Sequence, residues 1–278
     1  MVKNLKVSII IRTKNEEKWI NHCLNSILKQ KNNNLIEIII VDNNSRDKTL
    51  EICKKFKLIK ILKIKNFKPG KAINLGIEHS KGDIICILSA HCIIYNSNWL
   101  NHLLINFKDK KVAGVYGRQL PLPFSKKTDV RDMLITFGLD KKIQIKDPFF
   151  HNANSAVRRS VVKQYPFDNK VTNIEDRIWA KKILSKGFKI IYEPLAKVFH
   201  YHGIHHDQEV ERSDNTFDVL KSIENKGIQN LLPKQLKPNN LSILALISVS
   251  ERDLNLLKYQ DLLKLKKEIL NNNLISEY

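Results

Sequence analysis

Ile84-Ile85-Cys86-Ile87-Leu88-Ser89-Ala90-His91-Cys92 is a short apolar run that stops abruptly on small and metal-capable side chains. Bulky apolar residues directly after Lys81-Gly82-Asp83 read as a strand buried on both faces, the pattern of a parallel sheet. Open α/β sheets bind ligands just past the carboxyl ends of their strands. Ser89, Ala90 and His91 therefore stand where such a sheet holds a ligand or a metal. The alternative is an ordinary turn with His91 on the surface, and the rest of the chain decides between the two.

Outward from that strand, apolar periodicity switches repeatedly between two and 3.6. Strands are predicted at 7–11, 36–41, 59–64 and 112–116. Helices are predicted at 17–29, at 71–80 (opened by Pro69-Gly70) and at 98–107. Another, through Leu50, Ile52 and Cys53, is capped by Ser45 or Asp47. This β-α-β-α order with short connectors implies right-handed crossovers and a doubly wound, mainly parallel sheet flanked by helices on both faces. From Arg118 to Asn154 the pattern loosens around Pro121, Pro123 and Pro148, and a helix at 175–186 and a strand at 188–192 restore it. Past about residue 226, Pro233 and Pro238 punctuate a linker before Lys/Leu-rich segments. The expected organisation is a catalytic-sized unit over 1–226 and a basic helical tail over 227–278. Leucines interleaved with lysines in that tail suit a helix on an anionic membrane, or one packed on the main unit or on a second subunit.

The 278 residues, 42% hydrophobic and 27% charged, are those of a globular protein rather than a disordered one. No apolar run approaches the roughly 18 residues that span a bilayer, and the first residues carry no signal-peptide core. The four cysteines include no CxxC pair, and they read as reduced core residues of a cytoplasmic protein. A formal net charge of +20 favours polyanions, but it is spread along a Lys-, Asn- and Ile-rich chain and decides little alone.

Four loops follow the first four strands: Arg12 to Glu16, Asp42 to Ser45, Asn66 to Lys71, and Ser89 to His91. Neither a dinucleotide fingerprint nor a P-loop is present. Val7 to Glu17, Ile39 to Thr49, Gly70-Lys71-Ala72-Ile73-Asn74-Leu75-Gly76 and Lys81 to Ile85 together resemble the family 2 glycosyltransferases, in order and spacing, over about residues 5–205. The resemblance implies the GT-A fold, with a nucleotide-sugar-binding half over 5–117 and an acceptor half over 118–226. It also implies an inverting transfer from a nucleotide-sugar to a hydroxyl, on a glycan or lipid-linked acceptor of bacterial surface polysaccharide. Relatives of this kind work at the inner membrane, so a peripheral membrane contact is expected.

Carried over residue by residue, the resemblance puts the donor on Thr13, Asn15, Glu16, Asp42, Lys71, Asn74, Ser89 and Ala90. Asp42 would accept from a pyrimidine N3–H and Glu16 from ribose hydroxyls. Lys71 and Asn74 would meet diphosphate oxygens or the base at a helix start, where amide dipoles favour anions. The family places Asp-x-Asp after the fourth strand, where it holds Mn²⁺ or Mg²⁺. Here Ser89 and His91 replace the acids, which leaves a divalent cofactor open and favours Mn²⁺ if one binds. His200 and His202 are the further candidate ligands. Glu175-Asp176 resembles the acidic acceptor-site motif, with Asp176 as general base, and His151, Asn154 and Trp179 are expected against the sugar or acceptor. Three other readings compete. A nucleotidyltransferase-like enzyme would want glycine in the first loop, an inactive GT-A protein is kept alive by the missing acids, and a nucleic-acid-binding protein would want a recognition motif. No nucleic-acid partner is expected.

Overall fold

The computed structural model describes residues 5–31, 34–122, 124–125 and 127–201. Their elements, in chain order, are β1 Val7–Thr13, α1 Ile20–Leu28, β2 Leu35–Asp42, α2 Thr49–Lys54, β3 Ile59–Lys63, α3 Pro69–Glu78, β4 Ile84–Ser89, β5 Cys92–Ile94 and α4 Trp99–Leu104. A 3-10 turn, Ile105–Lys108, follows α4, and then come β6 Val112–Leu120, α5 Lys127–Thr136, β7 Lys142–Gln144, β8 Asn154–Arg158, α6 Arg159–Gln164, α7 Glu175–Ser185 and β9 Lys189–His200.

One sheet runs in the order β3-β2-β1-β4-β8-β6-β9-β5, and β7 pairs with β9. Strands β3, β2, β1 and β4 are parallel neighbours, as the alternating sequence requires. Beyond them the sheet is mixed: β8 enters antiparallel between β4 and β6, and β6 and β9 resume the first direction.

Apolar alternation on the strands builds a core on each face. Ile9, Ile11, Ile38, Ile40, Cys86 and Leu88 pack against Ile20, Leu24 and Ile27 of α1 and Trp99 and Leu103 of α4. Ile10, Ile39, Val41, Ile85 and Ile87 face Ala72, Ile73 and Ile77 of α3 and Trp179, Ala180 and Ile183 of α7. Each central strand reads as an unbroken apolar run because both its faces are covered.

Several sequence expectations shift for local reasons. The first helix begins at Ile20 rather than 17, because Trp19 and Ile20 N–H both donate to the Glu16 carbonyl in a turn. Asp47 does serve the start of α2, with Oδ1 accepting the Thr49 N–H at 3.0 Å. The last strand is longer than expected, continuing past Pro194 to His200 where its register with β6 shifts between Gly117 and Gln119. A proline is tolerated at such an irregularity because no ladder donor is required there. The residues from 154 form strand β8 instead of a loop. The tail expected over 227–278, the boundary at 226 and His202 all lie outside the described residues.

All four cysteines are free and buried. Burial raises each thiol, Cys53 to about 12 and the other three further. None of the four should react with a thiol reagent at pH 8 in the native protein, and all should react in strong denaturant. Fast labelling of the native protein would show that the two cores open. Among the described residues, no helix is long and apolar enough to cross a membrane.

Candidate active site

The carboxyl ends of β1 and β2 are sewn together by side-chain hydrogen bonds. Asn15 and Asn44 take left-handed backbone angles, φ 55° and 56°, which asparagine tolerates better than most residues. Asn15 N–H donates to Ser45 Oγ at 2.9 Å, and Arg46 N–H donates to Asn15 Oδ1 at 2.8 Å. Asp42 is fully buried at the end of β2. Its carboxylate accepts from Thr13 Oγ1 at 3.1 Å, Ser45 N–H at 3.0 Å and Ser45 Oγ at 2.6 Å. A carboxylate has about four acceptor positions, so one is left for a ligand.

Glu16 is 5% exposed; its Oε1 lies 3.1 Å from His91 Nδ1, while its Oε2 is buried with no hydrogen-bond partner. His91 follows β4 and stacks on His200 at the end of β9, with ring centroids 4.8 Å apart and planes within 9°. His200 Nδ1 lies 2.6 Å from Gln119 Oε1, which as placed can only accept, so the ring donates from that nitrogen. Imidazole lone pairs lie in the ring plane, and the two planes are stacked nearly parallel, so His91 and His200 as arranged do not converge on a single ion. Among the described residues no group of three His, Cys, Asp or Glu side chains is placed to hold a metal. Ser89 is tied by its N–H to the Ala153 carbonyl at 3.0 Å, and Ala90 is 1% exposed, its methyl in the core.

The acidic pair opens α7. Ile174, just before it, is a β-branched residue at φ 54°, an outlier of the kind that costs on the order of 1–3 kcal/mol and that clusters at functional sites. Glu175 Oε1 receives Arg12 from the end of β1 and Asn152 Nδ2, both at 3.2 Å. The half-buried Asp176 accepts from the Asn152 N–H at 3.1 Å and the Arg177 N–H at 2.8 Å. Burial pushes the Asp176 carboxyl up to about 7, and the neighbouring Glu175 charge adds to the rise. The two N–H bonds and the Arg177 charge hold it back. A carboxylate whose pKa lies near neutrality is a stronger base than an ordinary one and is still about half ionised at pH 7.

Three expected site residues are elsewhere. Trp179 is 1% exposed, stacked on Phe167 at 5.2 Å, with its indole N–H on the Tyr165 carbonyl; it is core, not an acceptor platform. Asn154 is 0% exposed, with its amide spent on Trp99 Nε1, the Arg118 carbonyl and the Ala196 carbonyl, so nothing is left for a sugar. Asn74 clamps α3 to residues 167–169 through Phe167 and Asn169 instead of meeting phosphate. Lys71 is an exposed lysine of α3 reaching the Lys65 carbonyl at 3.4 Å. His151 stays near the site, its ring 6.5 Å from that of His200. The sequence reading passed over Arg12, Gln119 and Asn152. Of these, only Arg12 carried a local signal, a cation at the very end of a buried strand.

Comparison with known proteins agrees with this fold. The family model described as Glycosyl transferase family 2 matches residues 8–166. An O-antigen chain rhamnosyltransferase of Salmonella typhimurium is 29% identical over 229 residues, covering 76% of this chain and 71% of the relative. A dolichyl-phosphate-linked glucuronosyltransferase of Methanococcus voltae is 28% identical over 211 residues, and there this chain spans 64% of the relative. Among solved structures, a mannosyltransferase of Pyrobaculum calidifontis with GDP-Man and Mn²⁺ superposes with a TM-score of 0.63 at 19% identity, covering 100% of this chain and 77% of that one. TarS of S. aureus with UDP gives 0.59 at 19%, covering 75% of this chain and 64% of that one. At these identities the likeness to the solved structures is one of fold. By sequence match and by sheet architecture together, the chain belongs to glycosyl transferase family 2 and is a glycosyltransferase of the GT-A fold.

Proposed function

We propose that the protein moves a sugar from a nucleotide-sugar donor to a hydroxyl of a surface-glycan or lipid-linked acceptor, with inversion. The observation that carries this reading is Asp176, raised to about 7 and held by Asn152 and Arg177 at the sheet edge where the donor loops end. In the reaction, the acceptor oxygen gives its proton to Asp176 and forms the bond to C1 of the sugar. The bond from C1 to the diphosphate oxygen breaks, and the nucleotide leaves with that electron pair. Asp42, with Thr13, Asn15 and Ser45 around it, is suited to the base, and the orphaned Oε2 of Glu16 is suited to the ribose. Arg12 and Asn152 keep Glu175 in place beside Asp176. The relatives' named acceptors, an O-antigen chain and a dolichyl-phosphate glycan, support the choice of acceptor class.

The described residues around His91 gather no metal-holding set, and none of the steps above passes through a divalent ion. With a lipid-linked acceptor, the protein works in peripheral contact with the cytoplasmic face of a membrane. The direct test is a panel of nucleotide-sugars (UDP, GDP, dTDP and CMP linked), with and without Mn²⁺, followed by thermal shift and nucleotide release. One donor class should stabilise the fold, by roughly 2.7 kcal/mol at a hundred times its dissociation constant, and should release nucleotide with a glycan acceptor present. No stabilisation and no release with any donor would end the proposal.

A further inference from the structure

Arg118 lies in β6, is 3% exposed, and has Nε and Nη2 buried with no hydrogen-bond partner. The ionisable groups that act on it are Tyr192 and Tyr95, neither of them a carboxylate. A buried guanidinium with two of its three nitrogens unpartnered is expensive, whereas an apolar side chain of similar volume in such a place is often neutral or stabilising. The next residue, Gln119, adds a second buried donor without a partner, its Nε2.

The position is not remote. Leu88 pairs with Asn154 and Tyr116 with Ser155, and Ser89 N–H bonds the Ala153 carbonyl. Continuing that register puts Ser89, Ala153 and Arg118 in one row across β4, the start of β8 and β6, so Arg118 stands two strand spacings, about 10 Å, from Ser89. Asn152, next to Ala153, bonds both acids of the pair. The two arginines beside the acidic pair are engaged: Arg12 is bound to Glu175, and the Arg177 guanidinium lies over the Phe149 ring at 5.1 Å.

We infer that Arg118 is the oxyanion-binding residue of this site, and that its fork takes a phosphate-class group carried by the substrate. A planar guanidinium matches such a group with two parallel hydrogen bonds. The inference rests on the glycosyl-transfer reading for the identity of the substrate, but not for the binding of the anion itself.

The test measures binding, so it is independent of turnover. Inorganic phosphate and pyrophosphate are titrated into the full chain by calorimetry and thermal shift, alongside Arg118→Met and Arg118→Lys. Saturable binding to the parent is expected, with loss of at least about tenfold in Arg118→Met, one broken charge-assisted pair being worth that much, and a smaller loss in Arg118→Lys, which keeps the charge without the fork. Without anion, Arg118→Met should melt at or above the parent temperature. UDP and GDP against their nucleosides then identify the source. If Arg118→Met weakens the diphosphates and spares the nucleosides, the group is the donor's diphosphate; if it spares both while losing phosphate, the group belongs to the acceptor. No binding to the parent up to tens of millimolar, or equal binding by all three proteins, overturns the assignment. Should Arg118→Met fail to fold, Arg118→Lys with unaltered phosphate binding overturns it equally.

Discussion

Asp176→Asn should lower kcat by roughly 10²–10⁴-fold, the usual contribution of a general base, while the dissociation constant of the donor nucleotide stays within a few-fold of the parent. The amide occupies the same space and its single oxygen can keep the Asn152 N–H bond, so the variant loses proton transfer and the Arg177 N–H bond on the other oxygen. The pH profile gives a second handle. A base must be ionised to act, so kcat/KM of the parent should rise with pH and level off above about 7. Stability should run the other way. The folded carboxyl holds its proton to higher pH than the unfolded one, which titrates near 3.9. The folded state therefore binds more protons between the two values, and stability falls as pH rises through that window. Asn carries no charge, so the variant should melt above the parent at pH 8, with the difference gone below about pH 4. Activity within tenfold of the parent and a flat pH profile would remove Asp176 from the chemistry.

Asn154→Ala should be the most destabilising of the simple substitutions at this edge. It strips partners from the Trp99 indole N–H and from the Arg118 and Ala196 carbonyls, all buried. At about 1–3 kcal/mol for each of the three groups left unsatisfied, a loss of roughly 3–9 kcal/mol is expected. At about 2–4 °C per kcal/mol for a domain of this size, that lowers the melting temperature by at least about 6 °C and by up to roughly 36 °C. Below the melting range, activity should stay near the parent's. An unchanged melting temperature with lost activity would instead put Asn154 against the sugar.

Much of the parallel half was legible because each of its strands is a continuous apolar run closed by a polar loop, and each helix has its own amphipathic period. The acidic pair was legible for the same local reason, as two acids at the start of a clear helix. What escaped is set by partners far away in sequence. Asn154-Ser155-Ala156-Val157-Arg158 is too short and small to announce a strand, and it becomes one because β4 and β6 offer their edges to it. Trp179 and Asn154 face the core rather than a ligand, and nothing in their sequence neighbours tells which way a side chain in that helix or at that strand start will face. Arg12 and Asn152 gain their roles only when β1 and residues 149–153 meet α7.

The late insertion of β8 has a consequence for the nascent chain. β4 is finished at residue 89, yet the partner for its open edge is not made until residues 154–158. During that interval a fully apolar strand presents unpaired backbone, the kind of edge that recruits other chains. A ribosome stalled, or a chain truncated, between Ser89 and Asn154 should therefore yield an aggregating product and depend on chaperones. Lengthening the product only as far as Arg158 should relieve much of that dependence.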